Sequence, residues 1–384
     1  MNRELSILFI LTAHDSIFKN GGGEIRTIYI IKQAQISGCK SVLVFRPSMF
    51  LDHGRVDNHF RLVKFVMPLV YFIAGAKALM IHRQRIDMIY CGTCYPRDTL
   101  GAVLLNLAFG IPVACVSHDT PAQLQGYQFY RNSEKLGIME SLGNWFLGKA
   151  EEFLIRFINL PISISAFGKT YLDSIVRGKQ ILESSNGILE LCSDDEMVLD
   201  ERVFDVTYVG RIIARKNIQM LLAATHELIS NGYDLNVLLI TNTIDDGLQD
   251  VCNFIESHDM VSHFTVIKNA SEDEKFKLLK KSKISVNVSY DETFSISTLE
   301  SASCGDALIL SNISTFVGIY GENATYVGIN DVVGLSSAIK GLLSDREKLM
   351  KSMRNARQVA SAYIYSKVWN KEIDYFRSLF IGEP

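Results

Sequence analysis

The stretch Ile284-Ser-Val-Asn-Val288, then Glu292-Thr-Phe-Ser-Ile-Ser-Thr-Leu-Glu300, then Ala307-Leu-Ile-Leu310 decides how this chain folds. The two outer runs are short and apolar, as strands buried on both faces must be. The segment from Phe294 to Cys304 between them has helical spacing. A strand, a helix and a second strand at this distance make a parallel crossover unit. A helix starting near Phe294 leaves the amides of Phe294, Ser295, Ile296 and Ser297 without helical acceptors. Those amides and the helix dipole form a ready anion site. Glu292 lies just before that helix, and Glu300 about two turns along it on a similar face. Carboxylates do not serve a phosphate, so this pair suits hydroxyl groups on the same ligand.

The same alternation extends in both directions. Phe204–Val209, Leu235–Ile240 and Phe264–Ile267 read as strands, and Ile218–Ser230 and Glu272–Lys281 as helices. From Val332 onward the pattern is helical. In the first half Leu5–Leu11, Ser41–Phe45, Asp87–Cys91, Val113–Ser117 and Pro161–Ser165 read as strands, with helices at Glu24–Ser37 and Trp145–Asn159. Leu189–Arg202 is polar and acidic and reads as a linker. The sequence therefore predicts two doubly wound α/β domains joined near residue 195. Ligands of such sheets bind outside the carboxyl ends of the strands, so chemistry is sought in the loops that follow them.

Composition narrows the function. The 384 residues are 48% hydrophobic and 21% charged, which excludes a disordered, collagen-like or long coiled-coil chain. A net charge of -3 gives no reason to expect nucleic acid. The charge is uneven: residues 1–190 carry +5 and the remainder -8. A basic first half suits phosphates or an anionic membrane surface. Seven cysteines, mostly in apolar runs, suit a reducing cytoplasm. Cys91-Gly-Thr-Cys94 has redox spacing but lacks a second pair at zinc spacing, and reads as chance. The N-terminus lacks the charge pattern and cleavage site of a signal peptide. Phe65–Ala76, the longest apolar run, is broken by Pro68 and Gly75 and is too short to span a bilayer. Within Leu62–Arg85, the residues Lys64, Lys77, Arg83 and Arg85 allow two readings: a buried helix with a basic end, or a peripheral membrane contact.

Three nucleotide or metal motifs fail. Gly168-Lys169-Thr170 lacks the P-loop glycine, since position 163 is Ser. Gly21-Gly22-Gly23 has Arg26 where a dinucleotide fingerprint needs its last glycine. No His-Glu-x-x-His is present. A positive signal comes from Tyr208-Val-Gly-Arg211 and Lys216-Asn217, which put two cations in one loop after a strand. Arg is a fork and Lys a point charge for a diphosphate.

Together these residues resemble the group-1 family of retaining nucleotide-sugar glycosyltransferases with the GT-B fold. The resemblance covers nearly the whole chain. It runs through Gly21–Glu24, His118-Asp119, Ser165, Asn186-Gly-Ile188, Gly210-Arg211 to Lys216-Asn217, and Glu292 to Glu300 with Cys304-Gly305. It implies two Rossmann-like domains facing across a cleft. Residues 1–190 would form the acceptor-side domain and 200–365 the donor domain, with a helix at about 366–384 packing back on the first. It implies that Arg211 and Lys216 neutralise the donor diphosphate and that Glu300 takes the ribose hydroxyls. Glu292 would contact the transferred sugar, and the Phe294, Ser295, Ile296 and Ser297 amides a phosphate. Gly22 and Gly23 would allow close approach, and His118 with Asp119 would stand by the reacting carbon and the acceptor.

The implied activity is retaining hexosyl transfer from a nucleoside-diphosphate sugar to a saccharide or lipid-linked saccharide, in polysaccharide biosynthesis. No metal and no cofactor would be required. The enzyme would be cytoplasmic, with a peripheral contact at the inner face of the membrane as one option. The chain departs from the family at Thr241-Asn-Thr243, at Ala307 and at Asn312-Ile-Ser314. Two alternatives are a degenerate copy that binds a nucleotide sugar or scaffolds an active partner without turnover, and a sugar-nucleotide epimerase on the same fold.

Overall fold

The computed structural model describes residues 4–10, 22–44, 69, 71–81, 86–118, 138–189, 198–242 and 246–380. The chain divides into two compact units. The first comprises Met1–Asn132, Leu136–Gly187 and Tyr365–Pro384, and the second Ser133–Lys135 and Ile188–Ile364.

The first unit is built on a six-stranded sheet of β1 (Ser6–Ile10), β2 (Lys40–Val44), β3 (Met88–Cys91), β4 (Val113–Ser117), β5 (Leu160–Ser163) and β6 (Leu182–Glu183). The order is β2-β1-β3-β4-β5-β6, and every pairing is parallel. Connecting helices include α1 (Gly22–Ile36), α2 (residues 71–81), α3 (Pro96–Phe109), α4 (Ile138–Ile155) and α5 (Ala166–Val176). β1, β3 and β4 are buried at every residue, which is why they read as unbroken apolar runs. The expected strand Pro161–Ser165 stops at Ser163, because Ser165 caps α5 by accepting the Gly168 N–H at 3.1 Å.

In the second unit β7 (Phe204–Val209), β8 (Val237–Thr241), β9 (Phe264–Lys268), β10 (Ser282–Asn287), β11 (Ala307–Ser311) and β12 (Thr325–Val327) form the sheet. Its order is β12-β11-β10-β7-β8-β9, again all parallel. The helices are α6 (Ile218–Ser230), α7 (Asp246–Ser257), α8 (Glu272–Leu279), α9 (Ile296–Ser303), α10 (Ser314–Tyr320), α11 (Val332–Leu343) and α12 (Arg346–Ala360). One continuous core joins the strands to α6, α7, α11 and α12. The final helix α13 (Tyr365–Phe380) belongs to the first unit.

The strand order locates the site of the second unit. The chain winds outward from β7 through β8 to β9, then returns to β10 on the other side of β7. β7 and β10 therefore flank the switch point, where loops diverge and leave a crevice.

Part of the expected linker is structure. Leu199–Glu201 forms a 3-10 turn, and Arg202 is fully buried against Asp306 at 2.9 Å and the Cys304 carbonyl at 2.6 Å. That ion pair places Asp306 in the core, just before β11. Residues 190–197 lie outside the described residues.

Candidate functional site

The two loops at the switch point are tied together. The Tyr290 N–H, after β10, donates to the Arg215 carbonyl, after β7, at 2.9 Å. Asn217 and Tyr290 both donate to Asn330 Oδ1, at 3.3 and 2.9 Å. Asn217 and Ser295 are non-glycine residues in left-handed backbone, with φ of 52° and 66°, and each immediately precedes a helix. Such conformations cost energy and persist where the surroundings enforce them, often at functional sites.

The cations sit on the β7 loop. Tyr208 Oη bonds the Arg211 carbonyl at 2.7 Å and curls beneath Gly210, where a Cβ would lie 3.1 Å from that oxygen. A side chain at 210 would crowd this turn. The side chain of Arg211 is exposed and has no hydrogen bond or ion pair among the described residues. Lys216 points inward and pairs with Glu292, with side chains 12% and 7% exposed. Asn287 Nδ2 and Ser289 Oγ also donate to Glu292 Oε1, at 3.3 and 2.9 Å. All three donors meet one oxygen of Glu292, leaving Oε2 with no protein donor among the described residues. Beside it, Asp291 has one buried oxygen without a hydrogen bond. Burial raises the Asp291 pKa, and the Arg215 charge opposes the shift.

The helix expected near Phe294 begins at Ile296. Phe294 is buried and stands edge-on to the Tyr363 ring at 5.6 Å, so its side chain serves packing. The left-handed Ser295 turns the chain into the helix, and its hydroxyl lies 3.2 Å from Asn287 Nδ2. The amides that helix geometry leaves without a helical acceptor are those of Ile296, Ser297 and Thr298, because the helix starts two residues later than expected. Glu300 lies in the second turn of α9 and is 14% exposed. Its Oε1 accepts from Lys275 Nζ at 2.8 Å, and Lys275 also bonds both oxygens of Glu272, at 2.9 and 3.1 Å. Burial raises the Glu300 pKa, and Lys275 offsets only part of this because the Glu272 charge adds to it. The two carboxylates together raise the Lys275 pKa against the opposing effect of its own burial.

In the first unit His118 follows β4, with Nε2 at 3.0 Å from the Gly92 carbonyl. Gly23, in the first turn of α1, packs directly against it. A Cβ there would lie 2.9 Å from His118 Cδ2 and 3.2 Å from Thr93 Cγ2. Gly22 is the first residue of the same helix. Asp119 lies outside the described residues. Further down α1, Arg26 is fully buried and pairs with Glu372 of α13, which is equally buried. The guanidinium also donates to Tyr90 Oη at 2.6 Å, Ser184 Oγ at 3.1 Å and the Ser185 carbonyl at 2.8 Å. Cys91 and Cys94 are buried and free, with Cys94 Sγ 3.0 Å from Cys115 Sγ.

The structure thus brings Arg211, Lys216, Glu292, Phe294–Ser297 and Glu300 onto the switch-point side of the second unit, and Gly22, Gly23 and His118 onto adjoining segments of the first. Sequence reasoning missed Lys275 and Arg26. A signal for Lys275 existed: Ser271-x-x-Glu274 is a capping box, which the structure forms, and it fixes the start of α8. Among the described residues no cluster of three or more His, Cys, Asp or Glu side chains could hold a metal. Among them, too, no helix is long and apolar enough to cross a membrane.

Two parallel doubly wound units define a GT-B-like fold, and solved structures agree. Sucrose-phosphate synthase from Thermosynechococcus elongatus matches with a TM-score of 0.76 at 17% identity, covering 99% of this chain and 100% of that one. Anabaena HepE in complex with UDP-glucose matches with a TM-score of 0.70 at 14% identity, over 98% and 100%. Residues 194–359 match the family model described as glycosyl transferases group 1. An uncharacterised glycosyltransferase of Methanocaldococcus jannaschii is 22% identical over 293 residues, 75% of this chain and 74% of that one. The match to the group 1 glycosyl transferases lies within the second unit, and the whole chain shares the GT-B-like fold.

Proposed function

We propose that the protein is a retaining glycosyltransferase that moves a hexose from a nucleoside-diphosphate sugar to a saccharide or lipid-linked saccharide, its second unit holding the donor. The observation that carries this reading is the Lys216–Glu292 pair beside the start of α9, at the switch point of a parallel sheet. A solved neighbour in complex with UDP-glucose supports the donor class.

In this reading Arg211, whose side chain has no partner among the described residues, meets the diphosphate first. Lys216 then lies between Glu292 and the phosphates. Glycosyl transfer builds negative charge on the departing diphosphate. The two cations and the amides at the start of α9 stabilise that charge with no metal required. Glu292 Oε2 accepts from a hydroxyl of the transferred sugar, while its other oxygen stays with Lys216. Glu300 accepts from the ribose hydroxyls. His118 stands at the acceptor side, its ring fixed by the Gly92 carbonyl and the bare face of Gly23. Retention follows if the departing phosphate takes the acceptor's proton on the same face as the bond that breaks. A peripheral, cytoplasmic placement belongs to the same proposal, supported by the exposed Ile73, Met80 and Ile81 beside Lys77 on α2. Absence of co-sedimentation with anionic vesicles at low salt would remove that part.

The test is thermal unfolding with millimolar UDP, GDP, ADP or CMP, for the wild type and for Arg211→Ala, Lys216→Ala and Glu300→Ala. A ligand at a hundred times its Kd adds about 2.7 kcal/mol of stability. A shift with one nucleotide, lost in the variants, is the expected result. No shift with any of them would favour a degenerate scaffold that no longer binds the donor.

A further inference from the structure

A buried carboxylate tends to take up a proton, because burial disfavours its charged form. Glu300 is such a group. Once protonated it becomes a donor with reduced accepting capacity, whereas two neighbouring ribose hydroxyls, both donating, need an acceptor. A fixed cation beside Glu300 would hold it ionised. Lys275 is that cation, and it comes from a different helix, α8. Its side chain is 13% exposed, far less than an ordinary surface lysine. It reaches only Oε1 of Glu300, at 2.8 Å, and Oε2 has no protein donor among the described residues. Neutrality alone does not explain the contact, since Lys275 already has Glu272 on two bonds.

We infer that Lys275 is a positioning residue for the donor site: it holds the Glu300 carboxylate ionised and oriented so that Oε2 and the remaining Oε1 lone pair accept from the donor's ribose. This rests on the reading of Glu300 as the ribose carboxylate. Lys275 itself does not touch the donor. Its loss removes recognition of the ribose and leaves recognition of the phosphates. The capping box at Ser271 and Glu274 supports this role, because it fixes the first turn of α8, from which Lys275 projects.

The experiment measures the affinity of full-length wild type, Lys275→Met, Lys275→Arg and Glu300→Gln by calorimetry. The probes are UDP, its 2′,3′-dideoxy counterpart and inorganic pyrophosphate. If another nucleoside diphosphate is the one that stabilises the wild type, that nucleotide and its dideoxy form replace UDP. Wild type is expected to favour the complete ribose at least tenfold. Lys275→Met and Glu300→Gln lose most of that ratio, and Lys275→Arg keeps most of it. Pyrophosphate binding stays within about twofold throughout, which also shows that each variant is folded. A Lys275→Met ratio equal to wild type, with pyrophosphate still bound, overturns the role of Lys275 alone. A wild type that does not discriminate against the dideoxy nucleotide overturns the reading of Glu300, and this inference with it.

Discussion

Removing the charge of Glu372 should destabilise the first unit severely. Glu372 and Arg26 are both fully buried, and they face each other between α13 and α1. Tyr90 Oη also donates to Glu372, at 3.0 Å. Arg26 reaches the carbonyl of Ser185 and the hydroxyl of Ser184, just before the chain leaves the first unit at Gly187. Glu372 lies on the helix by which the chain re-enters that unit at Tyr365. The pair therefore anchors the departing and the returning segment to α1. Glu372→Gln keeps the shape but leaves a buried guanidinium with no counter-charge. Removing one partner of a buried pair costs about 3–5 kcal/mol. For a unit of roughly 200 residues, each kcal/mol moves the transition by about 2–4 °C, which gives a fall of roughly 6–20 °C. The assay is calorimetry or urea unfolding, resolved by unit because two units need not unfold as one. Arg26→Met combined with Glu372→Met removes both charges and should recover much of the loss, since apolar replacements of a buried pair are often neutral. A single-variant cost below about 1 kcal/mol, the size of an exposed pair, would refute the reasoning. So would a double variant no better than the two losses added.

Gly23→Ala should stabilise α1 slightly, by about 0.5–1 kcal/mol, because Ala is the better helix residue. The new Cβ would stand 2.9 Å from His118 Cδ2 and displace the ring from the Gly92 carbonyl. A transfer rate lower by about a hundredfold is expected from such a misplacement, and a full rate would remove His118 from the site. Glu300→Gln should separate function from stability. Burial raises the folded pKa of Glu300, so its ionised form costs stability once pH exceeds that pKa. The variant should be no less stable than wild type at pH 7.5, its relative advantage should shrink as pH falls toward the ordinary carboxyl range near ~4.3, and its preference for a nucleotide with a complete ribose should be lost. Urea unfolding at several pH values checks this, and a loss above about 3 kcal/mol at pH 7.5 would instead make the carboxylate a structural group.

Strands such as Val113–Ser117 and Phe204–Val209, and the helix Ile218–Ser230, were legible to the residue because buried parallel strands and an amphipathic helix impose patterns on their own sequence. The start of α9 was less legible. Its two-residue shift comes from the left-handed Ser295 and from Phe294 packing on Tyr363, a contact with a residue far along the chain. Leu182–Glu183 and Thr325–Val327 are too short to show a period, and only their pairing partners make them strands. In the site, spacing drew attention to Lys216, Glu292 and Glu300. The direct bond between Lys216 and Glu292 was not visible, because it depends on β7 and β10 being neighbours in the sheet. Arg26, Glu372, Arg202 and Asp306 were equally hidden. Each looks like an ordinary charged residue until tertiary structure supplies its opposite charge.

The most direct measurement is release of nucleoside diphosphate from a panel of UDP- and GDP-sugars, with and without saccharide and lipid-linked acceptors, for wild type and Lys216→Ala. One donor should be consumed in an acceptor-dependent way by the wild type, with the new linkage keeping the anomeric configuration of the donor. Lys216→Ala should be at least tenfold slower, which corresponds to about 1.4 kcal/mol of transition-state stabilisation. Transfer that inverts the anomeric carbon, or an equal rate in Lys216→Ala, would contradict the proposed chemistry at the switch point between β7 and β10.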